Sequence, residues 1–164
     1  MKNSFYGWPL LLLLASFDCR ADLQTDDPKV VCPVLLDAQL RANAWTAGAE
    51  GSAQCRSPNR PIRDDQGHGN TIAFLADGVG DRVKRVLLIV DVEDRKAIDA
   101  PQRDLLRVTN SLSVRMLGLS IPHEIREAIN KPRSVKVDVG TGSIQVYRTP
   151  TKDGKGVSIL VVMQ

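Results

Sequence analysis

The sequence predicts an α+β domain: an antiparallel β-sheet built from two β-hairpins, with helices packed mainly on one face, in the order α-ββ-αα-ββ. Three observations lead there. Residues 71–92 and 134–163 carry short-period apolar runs separated by glycine turns, and residues 99–131 between them repeat at helical spacing. The final run, Ile159 to Met163, is apolar at every position, which suits an interior strand covered on both faces.

In chain order, Met1-Lys2-Asn3 is a short basic region followed by the apolar run Leu10–Leu14 with Ala15. That run is far shorter than the roughly 20 residues that span a bilayer, so residues 1–21 are expected to be a signal peptide rather than an anchor. Small residues at the positions before the cut place cleavage near Ala21. Cys19 raises a lipoprotein alternative, but Ser16 and Asp18 stand where such processing wants an aliphatic and a small residue. The expected location is periplasmic or secreted, with no stable membrane anchor.

Residues 22–30 are polar and charged without periodic apolar positions, and read as a flexible arm. Residues 31–164 then form a single domain, of a size that supports one core. A first helix is expected from Cys32-Pro33, with Leu36 and Leu40 continuing a four-residue step to Ala44 or Trp45 and Ala47-Gly48 ending it. Gly51 to Asn70, rich in Gly, Ser, Pro, Asn and Asp, reads as a long loop with one short edge strand.

Thr71–Ala76 and Val83–Val92 form the first hairpin around Asp77-Gly78-Val79-Gly80-Asp81. Asp99 is the expected N-cap of the next helix and Gly118 its terminator, with Leu105, Val108, Leu112 and Met116 on the buried face and Arg103, Arg107 and Arg115 off it. Ile121, Ile125 and Ile129 mark the buried side of a further short helix that Lys131-Pro132 ends. In the second hairpin region Val135, Val137 and Val139 alternate with Lys136 and Asp138. Gly140-Thr141-Gly142 reverses the chain into Ile144 and Val146, and Asp153-Gly154 reverses it again into the last strand.

Composition narrows function. The formal charge of +3 falls by one when Lys2, Asp18 and Arg20 leave with the leader, and no long run of one sign remains, so a nucleic-acid footprint is not expected. Outside the leader the aromatics are only Trp45, Phe74 and Tyr147, too few and too scattered for a stacking platform. After export two cysteines remain, Cys32 and Cys55, and an even pair in an oxidising compartment is most simply a structural disulfide. Their spacing is not that of a redox CxxC motif.

Several catalytic patterns fail. His68-Gly69-Asn70-Thr71 resembles the segment around the catalytic histidine of subtilisin-like serine proteases, but the chain has no Gly-Thr-Ser-type nucleophile segment and is too short for that domain. Asp64, Asp65 and His68 do not complete a zinc or calcium pattern, and His123 stands far from them in sequence, so neither metal nor cofactor is expected. Gly78-Val79-Gly80 and Gly140-Thr141-Gly142 precede no helix and are turns rather than phosphate loops. Asp91, Glu93 and Asp94 read as a solvated strand exit.

The leading expectation is therefore an exported, non-enzymatic domain that binds another protein, as an inhibitor or immunity factor or as an accessory of an envelope or secretion assembly. The contact surface is expected on the long loop, at Arg56, Asn59, Arg60, Arg63, Asp64, Asp65 and His68. Two alternatives stand beside it: a small hydrolase or metal-dependent enzyme using His68 with Asp64 or Asp65, and a carrier of a small molecule or lipid between sheet and helices.

Overall fold

A computed structural model of the chain describes residues 22–63, 67 and 69–164. The expected leader, Cys19, and the candidate residues Asp64, Asp65 and His68 lie outside the described residues. The fold is mixed helix and strand, with one antiparallel sheet of eight strands. These are β1 (Thr46–Ala47), β2 (Ser52–Arg56), β3 (Arg60–Pro61), β4 (Thr71–Val79), β5 (Arg82–Val92), β6 (Val135–Val139), β7 (Gly142–Pro150) and β8 (Val157–Met163). The α-helices among the described residues are α1 (Pro28–Val31), α2 (Asp99–Leu117) and α3 (His123–Asn130).

The sheet runs β1-β2-β4-β5-β8-β7-β6, with β3 also paired to β4. The two hairpin regions therefore join in one sheet, and β8 is the joint, hydrogen-bonded to β5 on one side and β7 on the other. An interior position is what its unbroken apolar sequence calls for, since an edge strand of that composition would template aggregation.

Strand alternation divides the residues between two faces. Val86, Leu88 and Val90 of β5 and Ile159, Val161 and Met163 of β8 belong to the core, together with Phe74 of β4 and Ile144 and Val146 of β7. Onto this face α2 brings Leu105, Val108, Leu112 and Met116, all fully buried, and α3 brings Ile125 and Ile129. Burying each such side chain is worth roughly 1.5–3 kcal/mol, so the core stripe of α2 alone outweighs any surface ion pair in the molecule. Leu87 and Ile89 of β5 and Leu160 and Val162 of β8 lie on the opposite face and outside the core cluster.

Two turns carry their expected roles. Gly118 ends α2 in the left-handed region, its N–H donating to Val114 O. Gly140 links β6 to β7 with φ of +58°, and a Cβ there would lie 1.8 Å from Leu117 O, so the turn sits directly on the end of α2. One cap differs: Asp99 stands in the first turn of α2, and Ile98 occupies the N-cap position without a side-chain hydrogen bond.

The start of the domain corrects the expected order α-ββ-αα-ββ. No helix runs from Cys32 to Trp45; α1 covers only Pro28–Val31, a 3₁₀ turn covers Leu36–Ala38, and Gln39 adopts φ of +59°. Helix start signals do exist, but upstream: Pro28 opens the helix and Asp27 caps it by accepting from Lys29 N–H at 2.9 Å. Pro33 then falls where an α-helical N–H would be needed, and it stops the helix instead of starting one. The buried residues are Val31, Leu35 and Leu40, whereas Leu36, read as a stripe member, is 56% exposed. Residues 46–61 contribute β1, β2 and β3, and the C-terminal region holds the three strands that its two turns call for, one more than the order α-ββ-αα-ββ counts.

Cys32 and Cys55 form the expected disulfide, with a Cα separation of 6.0 Å. It ties the end of α1 to β2. The segment expected to be a flexible arm makes backbone bonds to the body of the fold: Asp22 N–H donates to Thr141 O and Gln24 N–H to Met116 O, each at 2.8 Å. Among the described residues no helix is long and apolar enough to cross a membrane.

Candidate functional site

The segment expected as a long irregular loop is mostly drawn into the sheet. β2 pairs with β4 from Ser52 to Arg56, and β3 returns to pair Arg60 with Ile72 and Pro61 with Thr71. Between them Ser57 makes the crossing rigid. Its N–H donates to Phe74 O and its hydroxyl accepts from Phe74 N–H, each at 2.9 Å, so its side chain replaces a missing ladder partner. Asn43 does the same on the other edge, accepting from Arg56 N–H at 2.7 Å while its own N–H donates to Arg56 O.

Beyond β3, Ile62 N–H donates to Asn70 O, and the Asn70 side chain accepts from Glu93 N–H at 2.9 Å. Asn70 is fully buried, so this bond fixes where the segment rejoins β4. The Glu93 carboxylate in turn accepts from Gly69 N–H at 2.7 Å.

These pairings lay Arg60 to Arg63 beside the first half of α2. The result is an open cleft of about 740 Å³ in which Arg60, Arg63, Arg103 and Arg107 surround Asp104, the one carboxylate among its described lining residues. Asp104 accepts from the Arg60 guanidinium on one oxygen and from Arg107 at 2.7 Å on the other. Arg60 and Asp104 are largely covered, with side-chain exposures of 18% and 16%, while Arg107 is open to solvent. Arg63 and Arg103 are exposed and make no ion pair among the described residues. Among the described residues one carboxylate thus serves four guanidiniums, and their surplus positive charge faces the cleft.

Guanidinium presents a planar fork of donors that matches carboxylate and phosphate geometry, and it does not lose its charge. With Asp104 occupied by Arg60 and Arg107, the arginines left over can hold an acidic group from outside. Among the described residues no group of three or more His, Cys, Asp and Glu could hold a metal ion.

Of the residues expected at the contact surface, the structure brings Arg60 and Arg63 into the cleft. Arg56 and Asn59 are exposed and pair with each other, the Arg56 guanidinium donating to Asn59 Oδ1 at 3.4 Å. They belong to the end of β2, not to the cleft. Arg103, Asp104 and Arg107 were not among the sequence candidates. Their signal was present, since Arg103 and Arg107 stand one helical turn apart with Asp104 beside them, off the apolar stripe. What lies opposite them is set by the β3–β4 pairing and is invisible locally.

No family model matches the chain, and no curated protein or solved structure matches it significantly.

Proposed function

We propose that the protein is an exported, non-enzymatic binding domain that takes an acidic segment of another protein into the cleft between β3 and α2. The observation that carries this reading is the placing of Arg60, Arg63, Arg103 and Arg107 around Asp104, the one carboxylate described in the cleft. Two of these side chains are pre-ordered by Asp104, which lowers the entropy lost on binding, and two are free to complete the contact. The leader-like start and the Cys32–Cys55 disulfide support a periplasmic or secreted setting, as an inhibitor, an immunity factor or an accessory of an envelope assembly.

The test uses two probes. An oligo-glutamate peptide is titrated into the purified full chain by calorimetry, and crosslinked partners are captured from the envelope of the producing cell. The reading expects binding of oligo-glutamate but not oligo-lysine, a loss of affinity as salt rises, and loss of the captured protein with Arg63→Glu/Arg103→Glu. An oligo-glutamate affinity unchanged by that double reversal overturns it.

A further inference from the structure

The described helices pack on one face of the sheet; on the other, Leu75, Ile89 and Leu160 are half-buried and Tyr147 is exposed, while Leu87 and Val162 between them are already buried at 8% and 7% exposure. Register places four rows of residues on that second face across β4, β5, β8 and β7. The two middle rows are apolar across β4, β5 and β8: Leu75, Leu87 and Val162 in one, ending in Gln145 on β7, and Ala73, Ile89 and Leu160 in the other, ending in Tyr147 on β7. The outer rows are polar, with Asp77 and Arg85 at one end and Asp91 with Ser158 at the other. An apolar centre inside a polar rim is the anatomy of a protein interface, and an antiparallel sheet that faces water carries polar residues at these positions instead.

We propose that this face binds a second copy of the same chain, sheet against sheet. The rim charges select that occupant. Arg85 and Asp91 stand on the same face of β5 with Leu87 and Ile89 between them. A two-fold axis between the sheets and perpendicular to the strands sets Arg85 of one copy over Asp91 of its partner, and Asp91 over the partner's Arg85. The same axis lays Leu87 over the partner's Ile89, and the pattern is therefore complementary to itself. The groups are available: Arg85 uses its Nε toward Asp77, at 2.7 and 2.8 Å to the two carboxylate oxygens, and its side chain is 52% exposed. Asp91 accepts from the Ser158 hydroxyl on one oxygen, which leaves the other.

The area fits as well. Strands about 4.8 Å apart and rows about 6.8 Å apart give a face of roughly 500 Å² per copy, or about 1,000 Å² in the pair, the lower bound for a specific interface. The expected assembly is a weak dimer with two helix layers outside and two sheets inside, packed as in a β-sandwich. The arginine cleft lies on the helix side and stays open in it. A lipid surface would instead favour a rim of one positive sign, which this face does not have.

The test is sedimentation of the full chain across the micromolar to millimolar range. The wild-type chain is expected to dimerise reversibly, and Leu160→Glu to weaken the dimer by about ten-fold or more in Kd. Asp91→Arg alone and Arg85→Asp alone each set like charges face to face and are expected to be monomeric. Mixed in equal amounts they are expected to form a heterodimer, because every facing pair is then of opposite sign. That recovery needs both variants folded, so it separates the interface from a folding defect. A wild-type chain that stays monomeric overturns the proposal, whether or not it associates with phosphatidylcholine vesicles. A dimer untouched by Leu160→Glu, or folded single variants that fail to pair on mixing, overturns it too.

Discussion

The Arg115 guanidinium grips the Asp37 carboxylate with two parallel hydrogen bonds, Nη1 to Oδ1 at 2.9 Å and Nη2 to Oδ2 at 2.6 Å. Nη1 also donates to Val34 O. The pair joins the last turn of α2 to the 3₁₀ turn at Leu36–Ala38, the place where the chain does not continue as a helix.

That contact predicts a pH dependence. The Arg115 guanidinium beside Asp37 holds its carboxyl below the ordinary range, against an opposing effect of burial. A carboxyl with a depressed folded-state pKa adds stability above its unfolded value, about 3.9, and loses it as pH falls through the folded value. The thermal midpoint of the wild type is therefore expected to fall more steeply below about pH 4 than that of Asp37→Asn. Glu127 and Asp153 are lowered as well, by Lys131 and by Thr151 respectively, so the difference between the two curves is what isolates Asp37. Parallel curves would remove the contact from the stability of the fold.

Gln102 of α2 is buried and donates to Ile129 O at 2.9 Å and Asn130 O at 3.1 Å, closing the end of α3. Gln102→Ala is expected to cost about 1–3 kcal/mol, because Asn130 O loses this donor and Ile129 O keeps only the Arg148 guanidinium. Gln102→Glu sets a carboxylate against them and is expected to cost more at pH 7 than at pH 4, where a protonated acid can still donate. Chemical denaturation at the two pH values distinguishes these outcomes.

Reduction of Cys32–Cys55, or Cys32→Ala/Cys55→Ala, frees a loop with a sequence separation of 23 residues. The expected loss is about 3 kcal/mol on the chain-entropy account. Denaturant midpoints with and without reductant measure it.

Asp104→Asn leaves the largely covered Arg60 guanidinium without its counter-charge, and about 2 kcal/mol of stability is expected to go with it. Arg60→Met/Asp104→Leu removes both groups and is expected to be nearly neutral for stability while weakening oligo-glutamate binding. A double-mutant cycle followed by denaturation and by peptide titration separates the two roles.

Gly140→Ala is expected to cost more than about 2 kcal/mol, since a side chain there meets Leu117 O in a left-handed backbone. Gly154 also has positive φ but has open space around its Cβ, and Gly154→Ala is expected to cost less. Thermal midpoints of the two variants test that ranking.

The expectations that held rest on local periodicity. A period of two puts Val135, Val137 and Val139 on the core side of β6, and a helical period puts Leu105, Val108, Leu112 and Met116 on the core side of α2. The sole cysteine pair outside the leader left one intramolecular disulfide to form. The apolar β8 read correctly as an interior strand.

Only tertiary structure decided the rest, because the deciding contacts join residues distant in sequence. Pro33 marks a helix end rather than a start because Asp27-Pro28 had already begun one, and the choice rests on burying Val31 and Leu35 instead of Leu36. Arg60 and Arg63 become a site by lying across from Arg103 and Arg107, which no spacing in the chain encodes. The same division holds for Leu87, Ile89, Leu160 and Val162. Their sequence asks for cover on both faces of the sheet, and the fold places the helices on the other one.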